Sequence, residues 1–296
     1  MEWLQANLRS VAALRAGYRA LLLPLVLLIA GCAPVSQLVA PPPDAAKAEA
    51  AYQEGARYSV GAGVEQDYGL ALKHYREAAR YGSVPGSYMV GMSFYTGRGV
   101  QVDYAEARRW LLKAAEGGYA RAQYQLGKLY LDGLGGAKDA AWGARWIGMA
   151  AYQGHARAQF AYGIAWSQGL GLPQDTVRGL SWLIRADNQK LAEAAEVRRS
   201  LAKGMNAAQR AQAQAEARKS LPYNEGLNNL PTRLFVQQRL TEKGYNPGAV
   251  DGLLGTKTGA ALMQFQGDAG IAVSGEVDEA TLNQLRDLYF WQPLLN

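Results

Sequence analysis

Apolar residues recur at helical spacing along most of the chain, and short runs of small residues interrupt them at regular intervals. Between residues 88 and 95 the apolar side chains follow the spacing of an amphipathic helix. Gly97-Arg98-Gly99 interrupts this pattern, and helical spacing resumes from Asp103 to Glu116. The pattern predicts two helices joined by a tight turn, in which glycine adopts a positive φ at little cost.

This pattern recurs every 36 residues between Lys47 and Lys190. Five positions stay in register through four units: Gly55, Gly91, Gly127 and Gly163; Gly61, Gly97, Gly133 and Gly169; Gly63, Gly99, Gly135 and Gly171; Asp67, Asp103, Asp139 and Asp175; and the aromatic residues Tyr52, Tyr88, Tyr124 and Phe160. Self-similarity at a period of roughly 20 to 50 residues is typical of stacked arrays. The sequence therefore predicts an all-α solenoid of about four helix pairs.

Two of the recurring positions have a physical explanation within one unit. Each aspartate precedes a second helix, where its carboxylate is expected to accept hydrogen bonds from exposed backbone N–H groups. The glycine inside the first helix, Gly91 in the second unit, costs about 1 kcal/mol of helix stability relative to alanine. Its recurrence predicts a close approach of the two helices, which a larger side chain would prevent.

These residues resemble the Sel-one-like repeat, a relative of the tetratricopeptide repeat. Its pattern contains Leu-Gly, Tyr, Gly-x-Gly, Asp, Ala, Trp and Lys-Ala-Ala in order. The chain departs from it at Gly143 and Gly179, which replace an alanine, and at Arg185-Ala186-Asp187, which ends the fourth unit. The resemblance implies a helical solenoid that docks a protein partner.

Two further helical stretches, Leu191–Lys203 and Asn206–Lys219, are predicted to cap the stack. Residues 221–230 contain proline, glycine and paired asparagines, which are typical of a linker. The solenoid with its capping helices is therefore assigned to residues 47–220.

Residues 231–296 form a different module, with helices predicted over Pro231–Lys243, Lys257–Gly267 and Asp278–Leu288. The run from Gly244 to Gly255 resembles the small three-helix peptidoglycan-binding domain. The positions that match after it are Thr258, Ala261, Phe265, Gln266, Gly275, Asp278, Thr281 and Leu285. The resemblance implies a non-catalytic module that binds the cell wall.

Candidate peptidoglycan contacts in this module are Tyr245, Asp251, Gly252, Gly255 and Gln266. The aspartate and the two glycines are expected to shape a tight loop before a helix, whose exposed N–H groups suit an anionic ligand. Stem peptides of peptidoglycan carry free carboxylates, and Tyr245 offers a flat apolar surface with a polar tip. Structural roles compete with these assignments, because Asp251 and Gln266 are also suited to bonds within the loop.

Cys32 is the only cysteine, and it follows a short apolar run that ends in Ala30-Gly31. Arginines at positions 9, 15 and 19 precede that run, as in an export signal. The run is too short to span a bilayer, which takes roughly 20 apolar residues. The arrangement resembles a bacterial lipoprotein signal, in which residues 1–31 are removed and Cys32 receives the lipid.

The alternative, a buried free cysteine at the end of a core helix, conflicts with Gly31 and the prolines that follow. The proline-rich residues 32–46 are therefore predicted to form an extended tether. Ala33 resembles the sorting pattern for the outer membrane of Gram-negative bacteria, and in a host without that membrane the expected location is the outer face of the cytoplasmic membrane. These features imply an outer-membrane lipoprotein that faces the periplasm.

The formal charge of +6 lies mainly in the solenoid, because residues 231–296 hold five Lys or Arg against seven Asp or Glu. The sequence shows no concentrated basic stripe of the kind that binds nucleic acid. A nucleic-acid partner is not predicted, and the basic excess favours an acidic or mixed protein surface as the partner.

Residues for catalysis are scarce. His74 and His155 lie in separate repeats and Cys32 is expected to carry lipid, so neither a His/Cys metal cluster nor a Cys–His pair is predicted. A glycosidase needs only two carboxylates, but the predicted segments leave no room for a catalytic domain. The prediction is a protein with no catalytic residues, metal or cofactor.

The first hypothesis is a non-enzymatic, lipid-anchored envelope adaptor that binds peptidoglycan and an unidentified envelope protein. A second is an accessory subunit that recruits a cell-wall hydrolase or an exopolysaccharide export component. A peptidoglycan hydrolase in its own right is the third and least favoured alternative.

Overall fold

Helix pairs fill most of the structure, a computed structural model that describes residues 44–221 and 227–286. The predicted signal segment, Cys32 and nearly all of the predicted tether lie outside the described residues. Within those ranges all regular structure is α-helical, which confirms the predicted fold class. None of the described helices is long and apolar enough to cross a membrane.

The helices fall into three groups along the chain. Four pairs form the repeats: α1 (Ala45–Val60), α2 (Tyr68–Arg80), α3 (Val84–Thr96), α4 (Tyr104–Glu116), α5 (Ala120–Asp132), α6 (Ala140–Tyr152), α7 (Ala156–Gln168) and α8 (Thr176–Asn188). The stretches predicted to follow the repeats are α9 (Ala192–Lys203) and α10 (Ala207–Arg218). The carboxy-terminal module contains α11 (Leu230–Glu242), α12 (Thr256–Asp268) and α13 (Glu279–Leu285).

Local signals define the ends of the repeat helices as expected. In each unit the aspartate that recurs before the second helix accepts a hydrogen bond of 2.9 Å from a backbone N–H in the first turn of that helix. The first of the two glycines in each interhelix turn, such as Gly97, adopts a φ of 71° to 74°. Both features confirm the predicted turn.

The second glycine of each interhelix turn lies at the contact between adjacent repeats. A Cβ at Gly99 would lie 2.2 Å from the carbonyl oxygen of Tyr68, and one at Gly135 would lie 2.2 Å from that of Tyr104. The equivalent Gly63 has no repeat before it, and a Cβ there would meet nothing within 4 Å. This glycine therefore allows each turn to contact the previous repeat.

The glycine inside each first helix permits the close helix approach predicted from its recurrence. A Cβ at Gly91 would lie 2.8 Å from the Cγ atom of Leu111. In the third unit Gly127 faces Gly143, and a Cβ at Gly143 would lie 2.8 Å from the carbonyl oxygen of Gly127. The departure at Gly143 thus places glycine on both sides of the contact.

Two predicted boundaries shift in the structure. Asp44 accepts a hydrogen bond from the backbone N–H of Lys47, so α1 begins at Ala45, inside the predicted tether. Asn229 accepts one from the N–H of Thr232, so α11 begins one residue before the predicted start. In both cases the capping side chain decides the first helical residue.

The cap and the module contact the repeats at different places. Helices α9 and α10 both pack on α8, through a cluster of Leu180, Met205 and Ala213. Helix α11 packs on α6, and one hydrophobic cluster contains both Trp142 of α6 and Phe235 of α11. The carboxy-terminal module therefore shares its core with the third repeat.

Candidate functional site

The loop between α11 and α12 is held by a glutamine that is almost fully buried. Gln237 Oε1 accepts a hydrogen bond of 2.7 Å from the backbone N–H of Gly252. Its Nε2 donates to the Leu253 carbonyl oxygen at 3.0 Å and to Thr258 Oγ1 at 3.2 Å. One side chain thus ties α11 to the end of the loop that leads into α12.

Gln266 holds the next loop in the same way. Its Oε1 accepts bonds from the N–H groups of Ser274 and Gly275, at 2.9 and 2.8 Å. Its Nε2 donates to the Glu276 carbonyl oxygen at 3.0 Å and to Thr281 Oγ1 at 2.9 Å. Gln266 is 0% exposed, so it positions the loop and offers no atom to a peptidoglycan ligand.

Sequence reasoning singled out Gln266 and missed its counterpart Gln237. A signal was present, because each glutamine follows a buried apolar residue, Val236 or Phe265, in an apolar helix. Each also precedes a loop with a glycine at positive φ and a threonine in the following helix. In both loops a buried glutamine of the preceding helix therefore bonds to the loop backbone and to a threonine of the following helix.

Asp251 and Gly252 shape the first loop. Asp251 Oδ1 accepts a bond of 2.8 Å from the N–H of Leu253, and this bond, with a longer one from Gln237, keeps the pKa of Asp251 below its usual value. Gly252 has a φ of 82°, and a Cβ there would lie 2.0 Å from Leu230 Cδ1. The positive φ favours glycine at this position, and a side chain there would also displace the end of Leu230.

Gly255 begins α12 without a capping side chain, so the first N–H groups of that helix face the loop. The two leucines before it, Leu253 and Leu254, are 70% and 36% exposed. The first loop therefore presents apolar side chains beside a helix amino terminus, a combination that sequence reasoning missed.

Tyr245 lies elsewhere in the module. Its hydroxyl donates to Asp268 Oδ2 at 2.9 Å, and its ring packs edge-on against Phe265 with centroids 5.6 Å apart. Both contacts are at the carboxy-terminal end of α12, and Gly255 precedes its first residue. At 1.5 Å per residue the two ends are about 18 Å apart. The structure thus gathers Asp251, Gly252 and Gly255 at the end of the loop that leads into α12, and it leaves Tyr245, near the start of the same loop, at the far end of that helix.

The module is attached to the repeats by polar bonds as well as by packing. Arg145 Nε of α6 donates to Thr232 Oγ1 of α11 at 2.9 Å, between two buried side chains. Arg239 of α11 forms an ion pair of 2.5 Å with Asp139, the residue that caps α6. These bonds fix one face of α11 against the third repeat.

The sequence carried a signal for this contact at Trp142. The equivalent positions in the other units hold Leu70, Glu106 and Arg178. Every residue from Ala141 to Ala151 of α6 is buried, as expected for a helix covered on all sides. A tryptophan at a position that is otherwise variable thus marks the repeat that carries the module.

The two histidines have structural roles in the repeats. His74 stacks on Tyr58 with the ring planes 3° apart, as expected for a packed or half-exposed histidine. His155 caps α7, where its Nδ1 accepts a bond from the N–H of Ala158. Across the described residues, no group of three or more His, Cys, Asp or Glu is placed to hold a metal ion.

Family models match both parts of the chain. The Sel1 repeat matches residues 48–83, 84–119, 120–155 and 156–187, and the putative peptidoglycan binding domain matches residues 230–285. The chain carries Sel1 repeats and a peptidoglycan-binding domain. Both are binding or repeat domains and not catalytic ones.

Two solved structures resemble this chain. A Sel1 repeat protein from Oxalobacter formigenes is 32% identical, with 52% of this chain and 44% of that chain covered and a TM-score of 0.48. A protective antigen of uropathogenic Escherichia coli with an SLR fold is 23% identical, with 80% and 52% covered and a TM-score of 0.52. The second supports the solenoid fold alone. The chain spans about half the length of each, and a search of curated proteins found no match.

Proposed function

We propose that this protein is a non-enzymatic adaptor of the bacterial envelope. Residues 231–296 bind peptidoglycan, and the Sel1 repeats bind a protein partner. The observation that carries the proposal is the peptidoglycan-binding domain matched over residues 230–285, in one chain with an interaction-type repeat. Stacked helix pairs expose extended surfaces that recognise proteins.

The contact between α6 and α11 supports an adaptor of fixed geometry. Trp142 and Phe235 pack edge-on with ring centroids 4.8 Å apart, and both side chains are buried. Buried aromatic pairs add about 0.5–1.5 kcal/mol beyond their area. A wall-bound module would therefore hold the repeats in a defined orientation, so that a partner is presented at a set angle to the wall.

Peptidoglycan binding is tested by sedimentation of the purified protein with sacculi. The wild type is expected to sediment, and Leu253→Ser is expected to lower the bound fraction several-fold, because it removes an apolar contact beside the amino terminus of α12. Val60→Ser is the matched control, since Val60 is 71% exposed and Leu253 is 70% exposed. Wild-type protein that stays in the supernatant would refute the proposal.

The membrane anchor is the second part of the proposal. Cys32 carries the lipid and holds the protein at the outer membrane, facing the periplasm. Cys32→Ser is expected to move the protein from the membrane fraction to the soluble fraction, since the thiol is the attachment point. Unchanged partitioning would contradict the anchor and leave wall binding to be judged by sedimentation.

A further inference from the structure

A cleft of about 740 Å³ lies between the third repeat and the module. Trp142, Trp146 and Met149 of α6 line one side, and Glu279, Leu282 and Arg286 line the other. Ligand sites commonly lie at domain boundaries and have volumes of roughly 300–1,000 Å³. Neither domain forms this cleft alone.

The wall of the cleft is a stack of alternating cationic and aromatic groups. The Arg286 guanidinium lies 4.4 Å from the ring centroid of Trp142, and the Arg145 guanidinium lies 4.4 Å from Trp142 and 4.6 Å from Trp146. Arg286 also donates to the Tyr130 hydroxyl at 3.4 Å. Each domain thus sends an arginine towards the other, and the wall they form is positive.

Two donors in this wall have no acceptor among the residues that the structure describes. Trp142 and Trp146 are each 3% exposed, and their indole Nε1 atoms are buried without a hydrogen-bond partner. A buried N–H without an acceptor destabilises the folded protein. Such groups are rare in native proteins, and an acceptor supplied by a ligand is one explanation for them.

Two carboxylates also line the cleft, one from each domain. Glu116 ends α4 and Glu279 begins α13. Desolvation raises the pKa of Glu116, the charges of Arg286 and Arg145 oppose this rise, and the charge of Glu279 adds to it. The cleft therefore combines two guanidinium groups with two carboxylates, and it suits a ligand that carries charges of both signs.

We propose that this cleft binds the stem peptide of peptidoglycan, an inference that rests on the proposed function. The carboxylates of the peptide accept hydrogen bonds from the arginine and tryptophan side, and its amino group pairs with Glu116 and Glu279. A stem peptide is favoured over a segment of a protein partner because the matched peptidoglycan-binding domain supplies Glu279, Leu282 and Asn283 to the lining, and Arg286 follows it directly.

The probe is the tripeptide L-alanyl-γ-D-glutamyl-meso-diaminopimelate, added to the full chain. Binding is measured by calorimetry and by the change in tryptophan emission. Glu116→Gln and Glu279→Gln are each expected to weaken binding about 3-fold, as for an ion pair near solvent. Glu276→Gln, an exposed acid of the same module outside the cleft, is expected to bind as the wild type does.

A tripeptide acetylated on the free amino group of its diaminopimelate should bind alike to the wild type and to a double variant that carries both Glu116→Gln and Glu279→Gln. Trp146→Phe should weaken both forms of the probe, since it removes an indole N–H donor. Circular dichroism melts of each variant check that the fold is kept.

Equal binding of the unmodified tripeptide to the wild type and the double variant would overturn the inference, as would no binding at all. An all-L Ala-Glu-Lys peptide that binds as tightly would overturn it in favour of a protein segment as occupant. Sedimentation with sacculi on the same preparations separates the two claims. Sacculus binding without tripeptide binding would contradict only the cleft inference. Absence of both would also contradict the proposed function.

Discussion

The repeats and the carboxy-terminal module hold their turns by different means. In the repeats the backbone does so locally, through turn glycines at positive φ and an aspartate such as Asp103 that bonds to N–H groups two or three residues away. In the module Gln237 and Gln266 reach from a helix to loop groups 8 to 21 residues further on. A turn of the first kind depends on its own few residues, and one of the second kind depends on a single distant side chain.

The largest expected effect follows from that dependence. Gln266→Leu leaves the N–H groups of Ser274 and Gly275 without their acceptor inside the module, because the glutamine is fully buried. A loss of about 3–4 kcal/mol in the free energy of unfolding is expected, at 1–3 kcal/mol for each unsatisfied group. Urea denaturation measures the loss.

Gln264→Leu is the matched control, since Gln264 lies in the same helix and is exposed. Its expected effect is within about 0.5 kcal/mol. Equal losses for the two variants would show that the buried network is not what holds the loop.

The second effect tests the repeat turns. In Gly135→Ala the added Cβ would lie 2.2 Å from the Tyr104 carbonyl oxygen. The substitution is therefore expected to lower the free energy of unfolding by about 3 kcal/mol or more. Gly63→Ala has a similar φ, 72° against 75°, but no neighbour within 4 Å, so strain alone should cost about 1 kcal/mol. Thermal melts of both variants give the difference.

That difference isolates the contact between adjacent repeats, because the backbone conformation is the same at both positions. If both substitutions cost about 1 kcal/mol, the second turn glycine serves only its own turn and the proposed inter-repeat role is wrong.

The same contrast explains what the sequence could predict. The repeat fold was predictable because its determinants, such as Asp103 and Gly97, lie within a few residues of the turns they define and recur at a fixed period. The starts of α1 and α11 shifted because a capping residue, Asp44 or Asn229, lay just outside the expected boundary.

Long-range contacts were not predictable in the same way. Tyr245 and Gly255 lie within a single motif in sequence, yet the length of α12 separates them in space. The attachment of the module to the repeats depends on Trp142 and Arg145, whose counterparts in other units are apolar, polar or charged. Both acquire their role only when α11 covers them. Pattern reasoning finds which residues form an element, and packing decides which elements meet.

A smaller effect is expected at the boundary between the two regions. Asp139→Asn retains a side chain that caps α6 well but removes the charge that pairs with Arg239. A loss of about 1–2 kcal/mol is expected, because the pair is largely shielded from solvent. Asp103→Asn changes an equivalent cap whose carboxylate has no salt-bridge partner among the described residues, so it should be close to neutral. Equal stability of both variants would show that the ion pair does not fasten the module.

The smallest effect concerns His155 and pH. Desolvation, with the nearby charges of Arg121 and Arg157, lowers the pKa of His155 in the folded protein, and its Nδ1 must stay unprotonated to accept the bond from Ala158. As the pH falls through the ordinary histidine pKa of about 6.5, the unfolded chain takes up the proton first, so this part of the stability declines with decreasing pH. The loss is expected to be below about 1 kcal/mol, the usual value of a helix cap.

His155→Asn tests this reasoning, because asparagine caps a helix without titrating in this range. The variant should match the wild type near pH 8 and exceed its stability near pH 5.5, with the free energy of unfolding measured at each pH. A wild type and variant that lose stability in parallel would assign the pH dependence to groups other than the cap of α7.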